Sequence, residues 1–191
     1  MDIDAQHHIE YLKMIAPECL QNFSRCPNAL LIDCTFKTNK YGMPLLNLVG
    51  SNGNNRTTHL GVVLMRRKNE ASFCWVFNHL KAKFDELCIH IRVFITDNDG
   101  ACINALNNVF NFPKIVMCRW HMNKDVLSYV RQVLTSEFGR YRAGKYWVDN
   151  ESTKRFMELY YCVLQSATKA DYVKNFAAIT ALSPTAAQYL N

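Results

Sequence analysis

Residues Leu30–Gly50 read LLIDCTFKTNKYGMPLLNLVG, and the fold turns on how this stretch is taken. An apolar run climbs to a single carboxylate, Asp33. A short polar stretch follows, and then a second apolar run. Charged side chains are almost never buried unless something pairs with them. Asp33 therefore either caps a turn through its own oxygens or is held at the end of a strand to bind something positive.

Working outward, Ala29–Asp33 carries apolar residues on both faces and is predicted to be a strand. Met43–Val49 and Thr57–Met65 are predicted as the two arms of a hairpin around SNGNNR, Ser51–Arg56, whose Asn-Gly pair is a strong turn signal. The period then changes. Phe73, Phe77, Leu80, Phe84 and Leu87 recur at steps of three and four, the spacing of one helix face, from Glu70 on. Ile91–Thr96 is a β-branched run that ends at Asp97. Asp99, next to Gly100, reads as the N-cap of a helix with Cys102, Ile103, Leu106, Val109 and Phe110 on one face, stopped by Pro113. Lys114–Cys118 is a fifth short strand, and a helix follows from about Asn123 to Phe138. From Tyr146 onward only helical patterns are visible: Thr153–Gln165, Asp171–Leu182, and a start at Ser183-Pro184. The sequence stops inside that last pattern, so the tail is expected to be cut short. Residues 1–27 read as a lead-in with one short helix around Ile9–Met14.

The expected class is thus mixed α/β: three antiparallel-type strands, then two more joined by crossover helices and so parallel. The chain of 191 residues is 49% apolar, enough for a real core. Its net charge of +6 permits a nucleic-acid partner without requiring one. No stretch is long and apolar enough for a membrane span, and the polar N-terminus MDIDAQHHIEYLK is not a secretory signal. Its eight cysteines are scattered, with no C-x-x-C pair, as expected for reduced thiols in an intracellular protein that is not secreted.

Asp33 and Asp97 each close an apolar run. In the expected strand order the two strands are neighbours near the middle of the sheet. Two carboxylates side by side repel, and a divalent cation removes that repulsion. Mg²⁺ is often held by one or two carboxylates plus substrate phosphates. Each aspartate taken alone is equally well a turn or cap residue. The pair on adjacent strands is what points to a metal.

Three segments in this order, IDCTFKTNKYGMPLLNLVG, ITDNDGACINALNNVF and IVMCRWHMNKDV, resemble the catalytic core of Mutator-like (MULE) transposases over about Asn28–Val126. The resemblance implies a ribonuclease-H-like fold: a five-stranded mixed sheet with flanking helices, followed by an all-helical, insertion-like segment. It divides the chain into the lead-in at 1–27, a catalytic core at 28–145 and a helical insertion at 146–191. It also implies a DDE site working with Mg²⁺ or Mn²⁺ in the two-metal manner, cutting transposon ends and joining them to target DNA. Asp33 in DCTFKTN looks like the first catalytic, metal-binding aspartate and Asp97 in ITDND the second. The third acid of the family follows a helical insertion and is expected beyond Asn191. Glu137, on the helix after the fifth strand, is the rival within this sequence.

Cys118 and His121 in CRWH look like the family's C-x-x-H signature, and the resemblance gives His121 a role beside the active site. From the residues alone they read first as a buried thiol and a histidine at a helix start; half of a zinc site is the lesser reading, since Cys19 and Cys26, the other ligands on offer, are spaced unlike a finger. Six basic residues between Arg119 and Lys145 (Arg119, Lys124, Arg131, Arg140, Arg142 and Lys145) form either a phosphate-contacting surface, with the aromatics of RYRAGKYW stacking on bases, or a solvated helix face. Lys37 and Lys40 follow Asp33 closely enough to lie near DNA. Arg66, Arg67 and Lys68 read as an exposed turn. Three readings result: a metal-dependent DNA transposase, acting as an oligomer on transposon ends and target in the nucleus of a eukaryotic host; a domesticated, transposase-derived DNA-binding regulator without catalysis, as in the family's plant transcription-factor relatives; or an unrelated ribonuclease-H-like nuclease.

Overall fold

The computed structural model describes residues 1–5, 7–54, 56–134, 140–143 and 146–190, with 140–143 and 146–148 given by their backbone. The chain divides into two compact units, Met1–Cys118 and Arg119–Asn191.

The first unit is built on a mixed sheet. Its strands are β1 (Asp2–Ile3), β2 (Ile9–Met14), β3 (Ala29–Thr35), β4 (Leu45–Ser51), β5 (Thr57–Met65), β6 (Val93–Thr96) and β7 (Ile115–Met117), arranged in the order β1-β2-β5-β4-β3-β6-β7. Strands β3, β4 and β5 pair antiparallel, and β6 joins β3, and β7 joins β6, in parallel. The five predicted strands are all present. The sheet has seven because residues in the lead-in add two more. Ile9–Met14, expected to be helical, is a strand: Tyr11–Met14 pair with Met65–Val62 along the open edge of β5. A six-residue segment of mixed polarity, IEYLKM, fits either period, and an unpaired strand edge nearby decides it.

Helices α1 (Pro17–Ser24), α2 (Glu70–Glu86) and α3 (Gly100–Phe110) supply the rest of this unit. Leu30 and Ile32 of β3, Leu46 and Leu48 of β4 and Phe94 of β6 are buried together with Phe73, Phe77, Leu80 and Phe84 of α2 and with Cys102, Ala105 and Leu106 of α3. The helix face read from the Phe73–Phe84 spacing is this core. Leu87, included in that face, lies just past the helix and is exposed. Aromatic rings tie the layers: Phe94 packs on Phe110 at 4.7 Å and Phe23 on Phe84 at 6.0 Å. Both crossover helices begin with a side-chain cap, Asn69 accepting from the Ser72 N–H at 3.0 Å and Asp99 from the Cys102 N–H at 2.9 Å.

In the second unit, α4 (Arg119–Val133) starts four residues earlier than its periodicity suggests. Strands β8 (Arg140–Ala143) and β9 (Tyr146–Asp149) pair antiparallel, so the helical reading from Tyr146 onward holds only after Asp149. Three helices follow, α5 (Glu151–Leu164), α6 (Lys169–Leu182) and α7 (Pro184–Gln188), the last capped by Ser183 as expected. Val126 and Val130 of α4 share a buried cluster with Phe156, Met157, Tyr160, Ile179, Ala186 and Ala187. Among the described residues no helix is long and apolar enough to cross a membrane.

Gly61 of β5 packs against the backbone of the β2 edge with no room for a side chain. A Cβ there would stand 2.6 Å from the Met14 carbonyl oxygen and 2.5 Å from Ile15 Cγ1. Gly61→Ala is expected to destabilise the protein by about 1–3 kcal/mol, read as a lower denaturation midpoint.

Candidate functional site

The parallel pairing of β3 with β6 sets the site. Leu31 is registered with Ile95. Extended two residues beyond that pair, the register sets Asp33 of β3 against Asp97, the residue that follows the end of β6, on chains spaced about 4.8 Å where they pair. Asp33 remains within β3, opposite Asn47 of β4, because the β3–β4 ladder runs on to Thr35 after the β3–β6 ladder has ended. Both aspartates follow the last β3–β6 pair, at the C-terminal end of the parallel strands, where open α/β sheets usually place their sites.

Hydroxyl groups orient both carboxylates. Thr35 Oγ1 donates to Asp33 Oδ2 at 3.1 Å, and Thr96 Oγ1 donates to Asp97 Oδ1 at 3.2 Å. Thr96 is buried and also lies 3.4 Å from Cys102 Sγ. A hydroxyl has one proton to give. With that proton on Asp97, the Cys102 thiol is the donor to Thr96, and a buried thiol, a hydroxyl and the carboxylate form a short relay. Burial, the largest influence, pushes Cys102 up to about 12 even though its bond to Thr96 works the other way. Cys34 is pushed up to about 11, first by burial and then by the charges of Asp97, Asp33 and Asp99, with Lys68 opposing.

Lys68 is the residue that the sequence did not reveal. It was read with Arg66 and Arg67 as an exposed turn, and the two arginines are exposed. Arg66 bonds Asp4 at 2.6 Å and Glu10 at 3.2 Å at the sheet's outer edge. Lys68 is instead turned inward, its Nζ 2.7 Å from Asp99 Oδ2 and 3.4 Å from Asp97 Oδ2. Burial alone would lower its pKa, but the bond to Asp99 and the charges of Asp97 and Asp99 outweigh that, so it is raised. For Asp99, burial works upward, and the Lys68 bond and the Cys102 N–H overcome it, leaving the carboxyl lowered. Asp99 is the helix cap its sequence predicts and an ion-pair partner besides. No spacing rule could have separated Lys68 from its two basic neighbours.

The loop between β3 and β4 is shaped by Asn39, whose Oδ1 accepts from the N–H groups of Tyr41 and Met43 and whose Nδ2 donates to the Met43 carbonyl at 2.7 Å. It leaves Phe36, Lys37, Lys40 and Tyr41 exposed beyond Asp33, with the Lys40 ammonium 4.9 Å from the Tyr41 ring centre. The N–H of Cys118 donates to the Thr96 carbonyl at 2.7 Å, which fixes its backbone one residue away from Asp97 in the neighbouring strand; its thiol is half-buried.

In the second unit, Arg119 and Lys124 are exposed on the first turns of α4. Lys124 Nζ sits 5.2 Å from the ring centre of Trp120, itself 63% exposed. His121, half-buried, meets Trp120 edge-on at 4.7 Å. Arg131, one of the predicted phosphate contacts, is committed elsewhere: its Nε and Nη2 bond the two oxygens of Asp149 at 2.6 and 2.7 Å. Glu137 and Lys145, and the side chains of Arg140, Arg142 and Trp147, lie outside the described residues.

Among the described residues, no three His, Cys, Asp or Glu side chains gather as a complete metal-binding group. The requirement for Mg²⁺ is smaller, one or two carboxylates with the remaining ligands from substrate and water. At this edge the ammonium of Lys68 stands against Asp97 and Asp99.

Residues 29–125 match the model of the MULE transposase domain, so the chain belongs to that family. It is 29% identical over 118 residues to Protein FAR1-RELATED SEQUENCE 5 of Arabidopsis thaliana, a match covering 60% of this chain and 15% of the plant protein. It is 30% identical over 112 residues to the PKS-NRPS hybrid synthetase cheA of Chaetomium globosum, covering 57% of this chain and 2% of that protein. The chain therefore spans only a small part of the length of either relative.

Two outcomes test this geometry. Asp99→Ala removes the α3 cap and the firmer partner of Lys68, and should cost about 1–2 kcal/mol of stability in thermal unfolding. Cys102, 1% exposed, should resist alkylation at pH 8 in the folded protein while the exposed Cys88 and Cys162 react readily, as mass spectrometry of labelled protein would show.

Proposed function

We propose that this chain carries the catalytic core of a MULE-type DNA transposase with a ribonuclease-H-like fold, in which Asp33 and Asp97 bind Mg²⁺ or Mn²⁺. The observation that carries the reading is the parallel β3–β6 register, whose last pair, Leu31 with Ile95, stands two residues before each aspartate. The interior position of β3, between the antiparallel and the parallel part of the sheet, is consistent with the proposed fold. On this reading residues 28–145 are the core and 146–191 the helical insertion, and the third acid comes from Glu137 or from a glutamate further along the family's domain. Bound divalent ions supply Lewis-acid activation of the water or 3′-hydroxyl that attacks a phosphodiester. The protein's own residues aim and hold. Thr35 and Thr96 fix the rotation of the two carboxylates, and the β3–β4 ladder keeps Asp33 rigid. Lys37 and Lys40, exposed just beyond Asp33, attract the phosphate backbone, as do Arg119 and Lys124 on α4. DNA, as transposon ends and target, is the partner, handled by an oligomer in the nucleus of a eukaryotic host.

The second reading is a domesticated, transposase-derived regulator that binds DNA without cutting it. Its support is the similarity to FAR1-RELATED SEQUENCE 5. Metal binding separates the two. In a calorimetric Mn²⁺ titration the wild-type chain should bind saturably, and Asp33→Asn and Asp97→Asn should each weaken binding by about tenfold or more, ~1.4 kcal/mol. Binding that is absent, or equal in all three proteins, would leave the non-catalytic reading standing.

A further inference from the structure

Lys68 lies in the link between β5 and α2, and three separate segments converge on its ammonium. The β6–α3 turn presents Asp97 at 3.4 Å and Asp99 at 2.7 Å. The β3–β4 loop lays the ring of Phe36 over it, 5.6 Å from ring centre to Nζ. Its side chain is 17% exposed. An ammonium held away from water is costly unless its charge is answered. Here two carboxylates and an aromatic face answer it. The two bonds are unequal. Asp99 is the closer partner and is itself fixed as the cap of α3, whereas Asp97 is held at the limit of a hydrogen bond.

We propose that Lys68 is an internal counter-cation of the carboxylate site, competing with the divalent ion for Asp97 and remaining anchored on Asp99 when the ion takes that carboxylate over. The inference rests on the metal-binding reading of Asp33 and Asp97. The weaker bond is the one a metal would displace, and the stronger one keeps the lysine beside the site. The ammonium thereby sets the affinity of the site: it lowers the charge that attracts the ion and occupies an oxygen the ion needs. With Asp97 released, the freed face of the ammonium is directed to the next available anion at this edge of the sheet, a phosphate oxygen of the nucleic acid. Lys68 is then a positioning residue, acting through Asp97 before the metal arrives.

The test is a Mn²⁺ titration by calorimetry on the full chain, comparing wild type with Lys68→Met, Lys68→Gln and Asp97→Asn. Methionine keeps the length and the packing against Phe36 while removing the charge. Removal of a unit positive charge so close to the ion should tighten Mn²⁺ binding about tenfold. In wild-type protein labelled with ¹⁵N-lysine, the Lys68 ammonium signal should shift on addition of Mg²⁺ and stay put with the same ionic strength of Na⁺. That measurement stands even if neither variant folds. Wild-type binding that is lost in Asp97→Asn but unchanged or weakened in both Lys68 variants would overturn the counter-cation alone, as would a Lys68 signal indifferent to Mg²⁺. Wild-type protein that binds no Mn²⁺, or binds it equally well as Asp97→Asn, would overturn the metal site and this inference with it.

Discussion

The parallel ladder between β3 and β6 is the constraint on which the candidate site depends. It is only three residue pairs long, Ala29–Leu31 against Val93–Ile95. With β3 held by β4, a slip of β6 by one residue would turn Phe94 out of the core and shift Asp97 relative to Asp33. The core therefore enforces the register, and the register delivers two carboxylates side by side. The apolar face behind this edge holds the strands in place, and Lys68 brings a positive charge to Asp97 and Asp99 from the next connection.

The same arrangement shows how a site assembles from residues that are individually unremarkable. Asp99 is a helix cap, Thr96 a buried hydroxyl, Cys102 a core thiol, and Asn39 a turn-former. Each satisfies a local demand of the backbone or the core. Together they fix the aim of Asp97 and the shape of the loop after Asp33. Residues that would pass as structural thus determine the electrostatics around the two aspartates.

Much of this was legible before the coordinates. The β3, β4, β5 and α2 segments have strong periods and clear turn or cap signals, and Asp33 and Asp97 stand out because each breaks an apolar run. The failures share a cause. Ile9–Met14 is too short for its period to decide between helix and strand, and it becomes a strand only because β5 offers an edge. Tyr146–Asp149 is a strand because Arg140–Ala143 lies against it, a partner that aromatic and basic residues do not announce. Arg131 looks like a surface cation until Asp149 is brought to it by the chain's path. Lys68 is indistinguishable from Arg66 and Arg67 by composition, and only the return of the chain at β6 gives it carboxylates to meet. Local order is written in local sequence, whereas partners from distant segments are not.

The separation of the two aspartates along the chain also has a kinetic side. From Asp33 to Asp97 is 64 positions (97 − 33), and the hairpin of β4 and β5 and the whole of α2 lie between them. Contacts that close long loops form slowly, because the entropy of closure is spent before the contact rewards it. The antiparallel strands and α2, tied by near neighbours, can gather first. The docking of β6 against β3 comes afterwards and brings like charges together as it does so. The β3–β6 pairing is thus a long-range closure, and Lys68, in the connection between β5 and α2, lies on the very loop that it closes.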